Sequence, residues 1–392
     1  MDSVNLSDIE IAFKFSDDAS LRRAYRLFRL IQSPVLVKAG KFLLPVAEFL
    51  RIPYAWILKP TVFKHFCGGE DLAECERTFE ELHQRSIFSI PDYSAEGKTD
   101  EAFMETVMHE VLKVIDQGAR DPRVAFAVFK PSGLIRSSLM EKSVAGQTLT
   151  EGESIALERG RSRFEQCCAH AFSNGIPLLI DAEESWIQAF VDDLSLQMMR
   201  RYNVERPIVY NTIQLYRIDG LQRMKDVMAT AKNEGFVAAF KLVRGAYMEK
   251  ERKRALSRGE ASPIHSDKME TDRSYNAALK LGLENISHTA ILAGTHNEES
   301  NLLLCKLMEE LGCPHNHPFI FFSQLYGMSD HISQNLAHAG YRVAKYVPYG
   351  ALKTVLPYLI RRAEENTAMA GQTGREMGII RAEMQRRKKK SG

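Results

Sequence analysis

From about residue 86 onward, short apolar runs rich in β-branched and aromatic side chains alternate with longer stretches whose apolar positions recur at helical spacing. The runs fall at 87–91, 124–129, 177–181, 207–213, 238–243, 290–294, 318–322 and 341–346. Each is apolar enough to be covered on both faces, as parallel strands are. Helical stretches fill the intervals, among them 103–117, 154–174, 183–202, 220–233 and 298–311, and acidic residues at 181–184 and 298–299 suit helix N-termini. Eight strand–helix units predict an α/β fold of the closed (β/α)8 TIM type. The alternative is a doubly wound open sheet, which more often stops nearer six strands. Residues 1–82 read as an N-terminal helical region, with amphipathic stretches at 19–31 and 72–83 and breaks near Pro34, Pro45, Pro53 and Pro60. The barrel then covers 83–368, and 369–392 form a basic helical tail.

A closed parallel barrel places its chemistry at the carboxyl ends of the strands and in the loops that follow. Polar residues gather at those ends in this chain: Asp92, Lys130, Asp181, Asn211, Gln214, Lys241, Arg244, Thr295-His296-Asn297, Ser323, Gln324, Lys345 and Tyr346. A single one of them could be a hydrogen-bonded structural group. Their recurrence at nearly every strand end points to an active site.

Composition narrows the classes. Of 392 residues, 45% are hydrophobic and 26% charged, which is ordinary globular usage, and 52 basic against 50 acidic residues leave +2. That balance gives no reason to expect a nucleic-acid partner. Six cysteines without a CxxC pair read as buried, reduced thiols, and Cys167-Cys168 falls on a core-facing helix position. The amino terminus carries neither a signal nor a transit pattern, and no apolar run reaches the ~20 residues of a spanning helix. The expected location is therefore cytoplasmic. The cluster Arg386, Arg387, Lys388, Lys389 and Lys390 reads as a frayed, solvated helix end. Its alternative is a peripheral contact with anionic lipid on the inner face of the cell membrane.

Absent motifs exclude other chemistries. No two glycines lie two positions apart, so GxGxxG is missing, and so are GxxxxGK[ST], HExxH and GxSxG. His315-Asn316-His317 precedes a strand and reads as a solvated turn, so no metal is expected. Three segments carry the candidate chemistry. Residues 240–247, FKLVRGAY, run from a buried strand into a glycine turn with two cations at its mouth, while the 249–254 charge run reads as a solvated helix face. In 358–366, YLIRRAEEN, helical spacing puts Tyr358, Arg361 and Arg362 on one face. Two guanidinium forks beside an aromatic ring suit a small amphipathic carboxylate, and a surface helix paired to Glu364 and Glu365 is the plain alternative. Residues 294–297 and 323–328 offer hydrogen-bonding groups suited to a ribityl chain, a phosphate or a ring edge.

Taken in order, LLIDAEES, YNTIQLYR, FKLVRGAYMEKER, GTHNEES, QLYGMSDH, KYVPYG and YLIRRAEEN resemble the proline dehydrogenase family over roughly 86–368. The resemblance implies a distorted barrel holding FAD at its carboxyl end, oxidation of L-proline to 1-pyrroline-5-carboxylate, and electrons passed to a membrane quinone. It implies that Arg361 and Arg362 bind the substrate carboxylate, that Tyr358 and Tyr346 pack on the proline ring, and that Lys130, Asp181 and Leu325 line the pocket. Asp181 and Lys241 take the catalytic places, with Gln214 and Lys241 flanking the reactive flavin nitrogen. Ala182, Val243, Arg244, Gly245, Ala246, Thr295, His296, Asn297 and Glu365 fall at the cofactor contacts. Lys241 stands where many bacterial members carry arginine, and KLVRGAY is similar to the mitochondrial branch. A hydroxyproline dehydrogenase is the near alternative; a Schiff-base aldolase using Lys130 or Lys241 and a non-catalytic binding barrel are the distant ones. The sequence sets no oligomeric state.

Overall fold

The structure, a computed structural model, describes the backbone of residues 4–31, 33, 54–94, 100–368 and 370–391, and the side chains of these except 31, 363–368, 370–373 and 391. The expected breaks at Pro34, Pro45 and Pro53 lie outside the described residues, whereas Pro60 sits in a π-helical turn, Lys59–Phe63.

Eight parallel strands run β1 (Ile87–Tyr93), β2 (Ala127–Phe129), β3 (Leu178–Ile180), β4 (Val209–Gln214), β5 (Ala238–Val243), β6 (Thr289–Gly294), β7 (Ile320–Leu325) and β8 (Val343–Tyr349). Each of β2 to β7 pairs with the next in sequence, and β8 pairs with β1 in the register Ile90↔Tyr346. The seam between β1 and β2 closes on the single bridge Ser89↔Val124, where Ser89 N–H donates to Arg123 O at 2.8 Å and Ala125 N–H to Ser89 O at 3.0 Å. The fold is a TIM-type (β/α)8 barrel. The weak seam is why β2 keeps only three residues of the six its apolar run predicts: Val124 and Ala125 join the neighbouring strand through that bridge alone.

Helices cover the outside, and their ends follow from local chemistry. The helix Glu151–Asn174 opens on a capping box, Thr150 with Glu153, and closes at Gly175, whose φ of 69° suits a residue without Cβ. Asp71, Asp100, Asp267 and Asn297 cap four others. Inside the barrel, Ile90, Phe126, Val128, Leu179, Tyr210, Leu292 and Phe321 pack into one buried cluster. Phe126 meets Tyr210 and Phe321 edge to face, with ring centroids 5.4 and 4.8 Å apart. The Arg342 guanidinium lies 4.4 Å over the Phe321 ring.

The first and last sections of the chain pack together. Ala12, Phe13, Leu21, Phe28 and Ile380 form a cluster between the amino-terminal helices and the final helix, Ala370–Ser391. The basic cluster is correspondingly not a frayed end. Buried Glu383 accepts from Arg386 and Arg387, Arg387 also donates to Phe13 O and Ser16 O, and Lys390 pairs with Glu10. Lys388, Lys389 and Lys390 keep the exposed, solvated character expected of the whole run, Lys390 while paired at the surface. Among the described residues, no helix is long and apolar enough to cross a membrane.

Candidate active site

The strand carboxyl ends converge on a cluster of paired charges. Lys241, interior to β5, donates to Asp181 Oδ1 at 2.6 Å, just past the end of β3. Tyr346 of β8 donates its hydroxyl to the same carboxylate at 2.8 Å, and its ring lies 4.2 Å from the Lys241 ammonium. Burial first, and the Asp181 charge second, push the Tyr346 phenol well above its usual range, so it stays protonated and donates. Across the mouth, Lys130 at the end of β2 pairs with buried Asp92 of β1 at 3.2 Å, and Ser94 donates to the same carboxylate. Both lysines are thus held as the cations of ion pairs.

The proposed substrate clamp rides on the helix Leu352–Ala368, which carries Pro357 within it. The Arg362 guanidinium sits 5.2 Å from the Tyr358 ring, as helical spacing predicts. Tyr358 joins a cluster against which Leu325, at the end of β7, packs. Arg361 and Lys130 line one cavity of about 200 Å³, together with Tyr93, Phe103, Ser132 and Glu183.

A second group lies at the ends of β4, β5 and β6. Gly245 holds φ at 134°, and a Cβ there would meet the Tyr216 ring at 2.4 Å, so only glycine keeps this backbone open beside Val243 and exposed Ala246. Gln214 is buried; its amide nitrogen donates to Glu183 O at 2.9 Å, while its Oε1 has no partner among the described residues. Arg244 spreads its fork over Asp272 at 2.7 Å, Thr295 Oγ1 at 2.6 Å and Ser300 Oγ at 2.9 Å. It therefore braces the 295–300 segment. Asn297 caps the helix that follows, and Ala182 leads from Asp181 into the β3 loop. His296 is held by Ser329, and burial with the Lys345 and Arg362 charges lowers its pKa to about 3, leaving a neutral ring. The side chain of Glu365 lies outside the described residues.

Several strand-end residues are structural. Lys345, fully buried, pairs with Asp330 at 2.9 Å and donates to Leu325 O and Met328 O, clamping the loop after β7. Asn211 donates to Asp192, and Gln324 to Thr295 O. The charge run after Tyr247 also departs from expectation: Glu251 is buried and accepts from the Ser185 N–H at 2.7 Å and hydroxyl at 2.6 Å, capping the helix Ser185–Tyr202. No cluster of potential metal ligands occurs among the described residues, and His315 stacks on Tyr341 at 4.1 Å. Cys167 and Cys168 are core thiols.

Sequence reasoning passed over Glu183. It is buried, accepts from Ser132 N–H at 2.8 Å and Ser132 Oγ–H at 2.6 Å, and burial raises its pKa to about 7. Its place in the loop after β3 was the available signal, masked by an acidic run that reads equally as a helix N-terminus.

This geometry meets an independent finding: the proline dehydrogenase family model matches residues 75–375. The chain belongs to the proline dehydrogenase family. Its members are oxidoreductases acting on a CH–NH group, and the aldolase and binding-barrel readings are set aside with that. The hydroxyproline dehydrogenase of Xenopus laevis is 32% identical over 96% of this chain and 88% of its own length. Proline dehydrogenase 2, mitochondrial, of Arabidopsis thaliana is 32% identical over 84% of this chain and 79% of its own. The solved proline utilization A of Bdellovibrio bacteriovorus, inactivated by N-propargylglycine, superposes with a TM-score of 0.68 over 92% of this chain. At 20% identity it attests the fold, and this chain spans only 36% of that longer protein.

Proposed function

We propose that the barrel, residues 83–368, binds FAD at its mouth and oxidises L-proline to 1-pyrroline-5-carboxylate by hydride transfer, electrons then passing to a membrane quinone. The observation that carries the reading is that Arg361 shares a cavity with Lys130 and Glu183, while Tyr358 packs with Leu325, the register partner of Tyr346 in the Lys241–Asp181–Tyr346 cluster. The residues present fit the cofactor: Gln214 Oε1 is a buried acceptor awaiting an N–H, and the Gly245 turn leaves backbone open to a flat ligand. When bound, the flavin supplies the two-electron acceptor that no side chain here provides.

The chain's own groups bind and orient. Arg361 and Arg362 hold the proline carboxylate, fixing which ring carbon faces the cofactor. Tyr346, Tyr358 and Leu325 cover the ring, and Lys130, kept in place by Asp92, closes the polar side. Asp181 holds Lys241 against the pocket, where its charge favours an anionic reduced cofactor. With that acceptor bound, the ring carbon beside nitrogen would give up its hydride to it, the amine proton would pass to solvent, and a C=N bond would form between the two atoms. The quinone acceptor rests on the family resemblance, and exposed Lys388 and Lys389 suit a peripheral approach from the cytoplasmic side to the lipid that dissolves it.

The Xenopus relative's name supports a second reading, hydroxyproline oxidation. The family resemblance argues for proline, because Tyr346, tied to Asp181 and Lys241, stands where hydroxyproline-preferring members tend to carry a smaller residue. Turnover of both imino acids with a soluble dye as acceptor decides it. Proline is expected to be preferred by about tenfold or more; the reverse order establishes the second reading.

A further inference from the structure

We propose that the last helix, Ala370–Ser391, fixes the tautomer and orientation of His296 through a hydrogen-bond relay, Glu376–Ser329–His296, and thereby tunes cofactor binding at the barrel mouth. The cofactor half of this inference rests on the flavin reading above; the relay itself does not.

Glu376 is buried although it belongs to a terminal helix. Its Oε1 accepts from the Ser329 N–H at 2.6 Å and from the Ser329 hydroxyl at 3.1 Å. Ser329 is itself buried and holds φ 52°, ψ 42°, a left-handed conformation that a side-chain-bearing residue seldom adopts. It precedes the helix Asp330–His338 where a serine usually caps, yet it makes no capping bond. Its hydroxyl is turned toward Glu376 and His296 instead.

The proposed relay orders the protons. A serine hydroxyl has one hydrogen, and the relay assigns it to Glu376 Oε1, which already accepts the Ser329 N–H. Toward His296 Nδ1, 2.9 Å away, Ser329 Oγ can then only accept, so Nδ1 carries the proton of the neutral ring. Nε2 then carries no proton and accepts from the Leu325 N–H at 3.4 Å. In this tautomer Ser329 engages Nδ1 and the Leu325 N–H engages Nε2, and His296 offers a ligand its ring surface. The same helix has a second tie to this segment: Arg375 pairs with Glu298, which follows Asn297 and also holds His331 at 2.8 Å.

The test uses the full chain without added cofactor, labelled with 15N-histidine, the His296 signal being identified by its loss in His296→Asn. The wild type is expected to show Nδ1–H. Ser329→Ala and Glu376→Leu each should move the ring toward the Nε2–H form and weaken FAD binding about tenfold, read by quenching of flavin fluorescence. Glu376→Gln keeps an acceptor and should restore the wild-type tautomer and affinity; Arg375→Ala breaks only the second tie and should leave the tautomer unchanged. Nε2–H in the wild type, or a tautomer and affinity unmoved in both Ser329→Ala and Glu376→Leu, overturns the relay. A wild type that binds no FAD overturns the flavin reading instead, while the tautomer still judges the relay.

Discussion

The two ends of this barrel solve opposite problems with the same eight strands. At the amino ends the interior is filled by rings: Phe126 against Tyr210 and Phe321, with the Arg342 guanidinium stacked over the last. At the carboxyl ends it is filled by charge, Lys241 with Asp181 and Tyr346, and Lys130 with Asp92. Apolar packing needs only shape, and its contribution grows with the area removed from water. Buried ion pairs contribute little net stability, because the desolvation they require offsets most of their attraction. The floor's packing therefore stabilises the molecule, and the charges at the mouth are left to serve the binding proposed above.

That contrast can be broken at either end. Phe126→Ala at the floor should cost ~3–5 kcal/mol of stability, measured by denaturant unfolding, with turnover per folded molecule nearly unchanged. Glu183 is the mouth group that behaves like the floor. Its folded pKa of about 7 lies above its ordinary 4.5, so the stability it contributes is complete below 4.5 and is lost as pH rises through about 7. Relative to Glu183→Gln, the wild type should lose ~1–3 kcal/mol across that window, seen as a falling difference in Tm. A constant difference would remove Glu183 from the buried groups. Arg361→Met and Arg362→Met should each lower kcat/KM for proline by roughly 10- to 100-fold while shifting Tm little, since each charge-assisted bond contributes ~1.5–3 kcal/mol. Wild-type kinetics in either would move the carboxylate clamp elsewhere. The smallest effect is electrostatic: Lys241→Met should lower the bound flavin's midpoint potential by on the order of 30 mV, the equivalent of one charged hydrogen bond. An unchanged potentiometric titration places that charge away from the cofactor.

The floor was legible in the sequence almost throughout, because alternation between apolar runs and helical spacing is a local signal. The β5 run at 238–243 matches its strand residue for residue, and the helix Leu72–His83 likewise. Strands β7 and β8 begin two residues later than their apolar runs, since the chain is still turning at His317 and Gly340. The mouth was legible as a list of residues and not as a set of partnerships. Lys241 meets Asp181 from 60 positions away, and nothing local to either predicts the other. Lys345 reads as one more strand-end cation, although its partners lie beneath the loop it pins. Glu251 and Glu383 sit in highly charged helices, and only tertiary packing reveals that each is buried against a specific donor set. Charged runs conceal such residues because a buried acid and a solvated one are written with the same letter.

The central claim is that this mouth holds a flavin which a cyclic imino acid reduces. A visible absorption spectrum of the purified full chain, supplied with FAD and titrated anaerobically with L-proline, tests it most directly. The account predicts a bound yellow chromophore that bleaches in proportion to the proline added and regains its colour when a quinone is admitted. A protein that carries flavin yet keeps its spectrum unchanged under excess proline would contradict it.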